Sequence, residues 1–193
     1  MKKRILALLM AAMMCASLLT ACSSNEEGSN NQENNSQEET VKEVALDEIV
    51  SAVKDAYGEN YIPSVQIPSD MAPAEYMTDV FGITLDDCEE YYAEIPMMST
   101  HIDTFIVLKA KEGKLESLTE QLQAYLDIQQ NDAMCYPQNA IRIQSAKVFN
   151  AGNYAIYMIL GAQPDMEASE EDAAKFTDEQ VQIGVDAVNA LFA

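Results

Sequence analysis

The stretch that most constrains the fold is residues 102–110, centred on Phe105-Ile106-Val107-Leu108. A β-branched and aromatic run of strand length belongs in the middle of a sheet. Residues 146–149 and 154–160 are two further apolar segments, and they flank Asn150-Ala151-Gly152-Asn153, whose Asn and Gly residues predict a hairpin. Residues 88–95 fit either a helix or a strand by apolar content alone. The Tyr91-Tyr92 pair and Pro96 favour an extended segment.

Helices fill the rest of the pattern. Leu46, Ile49, Val50, Val53 and Tyr57 recur at helical spacing and Gly58 follows, which predicts an amphipathic helix over 45–57. A shorter helix is expected over 70–81, capped by Ser69 or Asp70 and ended by Gly82, with Pro73 placing its start. Leu115, Leu118, Leu122, Tyr125 and Leu126 mark a long helix over 114–130. Pro137, at a first helical position, opens another to about Ser145. Residues 163–176 read as an acidic connector, and Thr177-x-x-Gln180 has the form of a capping box ahead of Val181, Val185, Val188, Leu191 and Phe192. With no repeating β-α alternation, the order predicts an α+β domain: a small antiparallel sheet of three or four strands with helices packed on one face.

The first 43 residues are of another kind. Lys2, Lys3 and Arg4 precede an uncharged apolar stretch, residues 5–19, and Leu19-Thr20-Ala21-Cys22 closes it with small residues before a cysteine. That order is a signal peptide too short to span a bilayer comfortably. It resembles the lipobox of bacterial lipoproteins, which implies cleavage between Ala21 and Cys22 and lipid on the Cys22 thiol; two acyl chains give stable attachment where one does not. Cys15 would leave with the signal. Residues 23–42 hold one aliphatic residue, Val41, amid Ser, Asn, Gln and Glu, too few to bury a core. Such a coil spans about 25 Å root-mean-square. The expected organisation is a signal peptide at 1–21, a lipidated Cys22 with a disordered tether at 22–43, and one globular domain at 44–193. The sequon Asn34-Asn35-Ser36 reads as an accident of composition.

Charge excludes one class of partner. The chain has 32 acidic against 11 basic residues, a net charge of −21, and loss of the leader's three basic residues takes it to −24. Such a surface repels nucleic-acid phosphates. The partners expected are the membrane, through the lipid on Cys22, and an envelope protein or small ligand.

Beyond the leader, Pro96-Met97-Met98-Ser99-Thr100-His101-Ile102-Asp103-Thr104-Phe105, Tyr136-Pro137-Gln138-Asn139 and Gly152-Asn153-Tyr154 are the distinctive stretches. With the lipobox, tether and closing Glu179-Gln180-Val181-Gln182-Ile183 segment, the chain resembles the bacterial lipoproteins grouped as domain of unknown function family 4358. The resemblance implies an extracytoplasmic, membrane-anchored protein of Gram-positive anaerobes. It supplies no catalytic or binding residue.

The catalytic inventory is small. His101 is the only histidine, no G-x-S-x-G elbow is present, and His101-x-Asp103 reads first as a surface or strand-edge histidine beside its neighbour. A structural zinc site wants four Cys or His ligands, and after cleavage only Cys22, Cys88, Cys135 and His101 remain. Met97, Met98 and His101, with Met134-Cys135, would suit Cu(I), but methionines filling core gaps are the favoured reading. Residues 165–171 lack the glycine of a calcium loop, and no glycine-rich phosphate loop occurs. No metal or cofactor is therefore expected. Cys88 and Cys135 are a candidate disulfide in an exported domain, although their spacing says nothing of proximity and the anaerobic host implied by the resemblance favours thiols.

The reading this favours is a non-enzymatic binding module of the cell envelope, meeting its partner through an exposed sheet face or the Tyr91-Tyr92 segment. The alternatives are a solute-capturing lipoprotein serving a transporter, for which about 150 folded residues provide one lobe where two are usual, and a hydrolase working with two carboxylates.

Overall fold

The computed structural model describes residues 42–193 except Pro63, residues 68–72, Ser99 and residues 132–135. Ala21, Cys22 and Cys135 lie outside the described residues, as do the signal and tether segments.

Five helices and five strands follow one another as α1 (Leu46–Tyr57), β1 (Ser64–Gln66), α2 (Pro73–Phe81), β2 (Cys88–Pro96), β3 (Thr104–Ala110), α3 (Leu115–Gln130), α4 (Pro137–Gln144), β4 (Lys147–Ala151), β5 (Tyr154–Ile159) and α5 (Glu170–Phe192). The strands form one antiparallel sheet in the order β1-β2-β3-β5-β4. The α+β class and the central place of β3 are as the sequence predicts, and residues 88–95 are extended. The hairpin is tighter than expected. Strand β4 runs on through Ala151, so only Gly152 and Asn153 form the turn, with Gly152 at a φ of 54°.

Two expectations are corrected. The sheet has five strands, because the three-residue β1 pairs with the end of β2, Val65 opposite Ile95; a segment that short carries no periodicity to read. Helices cover both faces, not one. Ile106 and Leu108 of β3 and Tyr157 of β5 pack with Leu118, Leu122 and Leu126 of α3 and with Met77 and Phe81 of α2. Phe105, Val107, Ile156 and Met158 pack with Ile49, Val53 and Tyr57 of α1. The physical reason is in the strands themselves: every residue of β5 is buried, so both sides of the pleat need an apolar cover. Helix α5 serves both cores, giving Val181 and Val185 to the first and Val188 to the second.

A third correction concerns the start of α5. The capping-box reading placed it at Thr177, yet the helix begins at Glu170, where the Ser169 hydroxyl accepts the Asp172 N–H at 3.1 Å and Glu170, Glu171 and Asp172 complement the helix dipole. Thr177 is buried mid-helix and its hydroxyl donates to the Ala173 carbonyl at 2.8 Å. Further along, the Tyr57 hydroxyl inserts into the ladder of α5, donating to the Gln180 carbonyl at 2.8 Å and accepting the Gly184 N–H at 3.2 Å. Only glycine fits there, since a Cβ on residue 184 would lie 2.3 Å from Met158 Sδ and 2.9 Å from the Tyr57 oxygen.

Candidate functional site

One cleft of about 290 Å³ opens where several element ends converge. Val80 and Phe81 come from the end of α2, Ile95 and Pro96 from the end of β2, and Tyr125 and Gln129 from the last turns of α3. His101, Ile102 and Thr104 line it from the β2–β3 connection and the start of β3, Tyr136, Asn139 and Ile143 from the start of α4, and Tyr157 from β5. Phe81, Tyr125 and Tyr157 form a continuous aromatic wall, each neighbouring pair edge-to-face with centroids 5.1 Å apart. Burial pushes the Tyr125 hydroxyl up to about 12 and that of Tyr157 well above its ordinary value, so both stay protonated at neutral pH.

Behind the cleft lies a buried ion pair. Arg142, on α4, gives Asp103 two hydrogen bonds of 2.8 and 3.2 Å and a third to the Gly161 carbonyl at 3.1 Å, with both side chains 1% exposed. A bidentate pair so deep fixes geometry more than it adds stability. It ties the connection before β3 to α4 and to the end of β5. Asn139, one turn before Arg142, reinforces the tie by donating to the Thr100 carbonyl at 2.8 Å. This pins the amide orientation, since a flipped group would set two oxygens together. The Asn139 Oδ1 and the Arg142 Nε are buried and have no hydrogen-bond partner among the described residues.

The expected pair of His101 and Asp103 does meet: His101 Nδ1 lies 3.8 Å from Asp103 Oδ2, and 3.5 Å from Gln163 Nε2. They stand in the connection before β3, and Asp103 is committed to Arg142. Met97 and Met98 are exposed, and the His101 N–H closes a turn onto the Met98 carbonyl at 3.0 Å. Val80 and Tyr136 are exposed too, so the mouth has an apolar rim. Among the described residues no group of three or more His, Cys, Asp or Glu could hold a metal.

Two expected surfaces are not available. Both sheet faces are covered, and of the Tyr91-Tyr92 pair Tyr92 is buried in the α1 core while Tyr91 packs half-buried on the other. Cys88 is a buried free thiol, pushed up to about 11 by burial and the neighbouring Asp87 charge.

On the α1 face a second polar cluster surrounds Glu94. Its Oε2 accepts from the hydroxyls of Tyr92, at 2.5 Å, and Tyr61, and lies 3.3 Å from Lys54 Nζ. The Lys54 ammonium sits 5.2 and 5.3 Å from the Tyr61 and Tyr92 ring centroids. Burial works to lower the Lys54 pKa, and the Tyr92 and Glu94 contacts outweigh it, so the net direction is upward. Burial and then Glu94 raise both tyrosines.

The sequence assigns Val80 and Arg142 no role, Tyr125 only a place on a helix face, and Thr104 and Asn139 only a place in distinctive stretches. Arg142 carried a signal, being the only arginine besides Arg4 and standing between Ile141 and Ile143.

Residues 65–160, which include all of the cleft's lining, match the family described as Domain of unknown function (DUF4358), and the chain carries a domain of that family. No curated protein and no solved structure matches the chain.

Proposed function

We propose that this DUF4358-domain protein is an extracytoplasmic lipoprotein, anchored through Cys22, whose cleft captures a ligand or partner group from the cell envelope without chemical turnover. The observation that carries the binding reading is the convergence of an exposed apolar rim, an aromatic wall and an unpaired buried acceptor in one concavity. Solute capture and partner binding share this site; a pocket of about 290 Å³ suits a small body or a single side chain. The sequence around Cys22 supports the anchor, and the polar tether leaves the domain free to reach outward. No helix among the described residues is long and apolar enough to cross a membrane.

The test is native mass spectrometry of the protein incubated with an envelope extract from its host, alongside Val80→Arg, which sets a long cation at the cleft mouth. The expected result is an added mass that Val80→Arg abolishes. An added mass indifferent to that substitution would place binding elsewhere and overturn the cleft reading. In parallel, Cys22→Ala should move the protein from the host's membrane fraction to the soluble one, and retention would overturn the anchor.

A further inference from the structure

Two polar side chains of the cleft present acceptors. Asn139, 1% exposed, has its Nδ2 committed to the Thr100 carbonyl, which leaves Oδ1 as an unpaired acceptor. Thr104, 5% exposed, commits its hydroxyl hydrogen to the Ile102 carbonyl at 3.0 Å, so its oxygen presents lone pairs. Among the described residues no Lys, Arg, Asp or Glu lines the cleft, and the aromatic wall offers ring surface. The unpaired Asn139 acceptor calls for a ligand that donates. Ring quadrupoles and a body of net charge −21 both favour a positive one.

We infer that the cleft takes a small organic ammonium ion, a protonated amine on a branched or aromatic apolar body, whose N–H groups donate to the Asn139 and Thr104 oxygens while the body lies against Phe81, Tyr125 and Tyr157. This rests on the cleft being the binding site proposed above. An anionic head would set its charge against the Asn139 and Thr104 oxygens with no Lys or Arg in the described lining to pair it, and a neutral alcohol would supply one hydrogen where an ammonium supplies three.

The experiment titrates 3-methylbutylammonium, 3-methylbutan-1-ol and 3-methylbutanoate into the protein at neutral pH and follows the amide NMR signals of Thr104 and Asn139. The ammonium ion should bind about tenfold more tightly than the alcohol, since charge-assisted hydrogen bonds are roughly twice as strong as neutral ones. The carboxylate should bind weakest. Asn139→Leu and the near-isosteric Thr104→Val, each checked for native circular dichroism, should erase the preference. Equal or tighter binding of the alcohol or the carboxylate would overturn the ammonium assignment and leave the cleft as a site. Silence of all three at millimolar concentration would also overturn it, and the wider reading falls with it only if the extract-derived mass is absent too.

Discussion

The two polar clusters of this domain differ in completeness. Around Glu94, two tyrosine hydroxyls and the Lys54 ammonium converge on one carboxylate oxygen, and the rings of Tyr61 and Tyr92 flank the cation. Around Arg142, a bidentate pair to Asp103 coexists with two buried polar atoms, Asn139 Oδ1 and Arg142 Nε, that no described group meets. A satisfied cluster holds α1 to the sheet and needs nothing further. In the proposed reading, the unpaired acceptor beside the cleft is where a ligand would donate.

The comparison breaks most sharply at the ion pair. Arg142→Met leaves Asp103 buried and unpaired and should lower stability by about 3–5 kcal/mol, read from the urea midpoint. Adding Asp103→Asn should recover part of that loss. At the other cluster, Glu94→Leu removes the acceptor of two hydroxyls and should cost about 2 kcal/mol while leaving ligand binding in the cleft unchanged. Loss of binding there would show that the clusters are not independent.

Alkaline pH probes both regions at once. A tyrosine whose native pKa is raised above its ordinary value near 10 keeps its proton longer folded than unfolded, so its stability contribution is complete below pH 10 and falls as pH climbs towards the native value. For Tyr125 that window is 10 to about 12. Denaturant midpoints should therefore drop between pH 10 and about pH 12. Tyr125→Phe should flatten that drop by about 1 kcal/mol. The smallest effect on stability is expected from Asn139→Leu, within about 1 kcal/mol, because it removes the unpaired Oδ1 along with the bond to Thr100. Its ligand binding should nonetheless be lost, and intact binding would mean that the unpaired acceptor is not used.

Much of this fold is legible in the sequence because apolar periodicity is a local signal. Ile49, Val53 and Tyr57 mark α1, Leu118, Leu122 and Leu126 mark α3, and the Phe105–Leu108 run marks the central strand. The start of α5 was misplaced because two capping signals compete eight residues apart, and burial of Thr177 against the sheet decides between them. The cover of both sheet faces follows from β5 being apolar throughout, a pattern that a short strand shares with a buried helix. The site was less legible. His101 and Asp103 stand two residues apart and pair on sight, but Arg142 reaches Asp103 from 39 residues away, and the role of Asn139 shows only once its Oδ1 is seen to lack a partner. Long-range polar contacts leave no periodic trace.

The most direct measurement is the amide NMR map of the protein before and after addition of host envelope extract. The expected shifts fall on His101, Ile102, Thr104, Asn139 and Ile143, with the signals of Lys54, Tyr61, Tyr92 and Glu94 unmoved. Shifts confined to the Glu94 cluster, or none at the cleft while a ligand is bound, would contradict the assignment of the open cluster as the binding site.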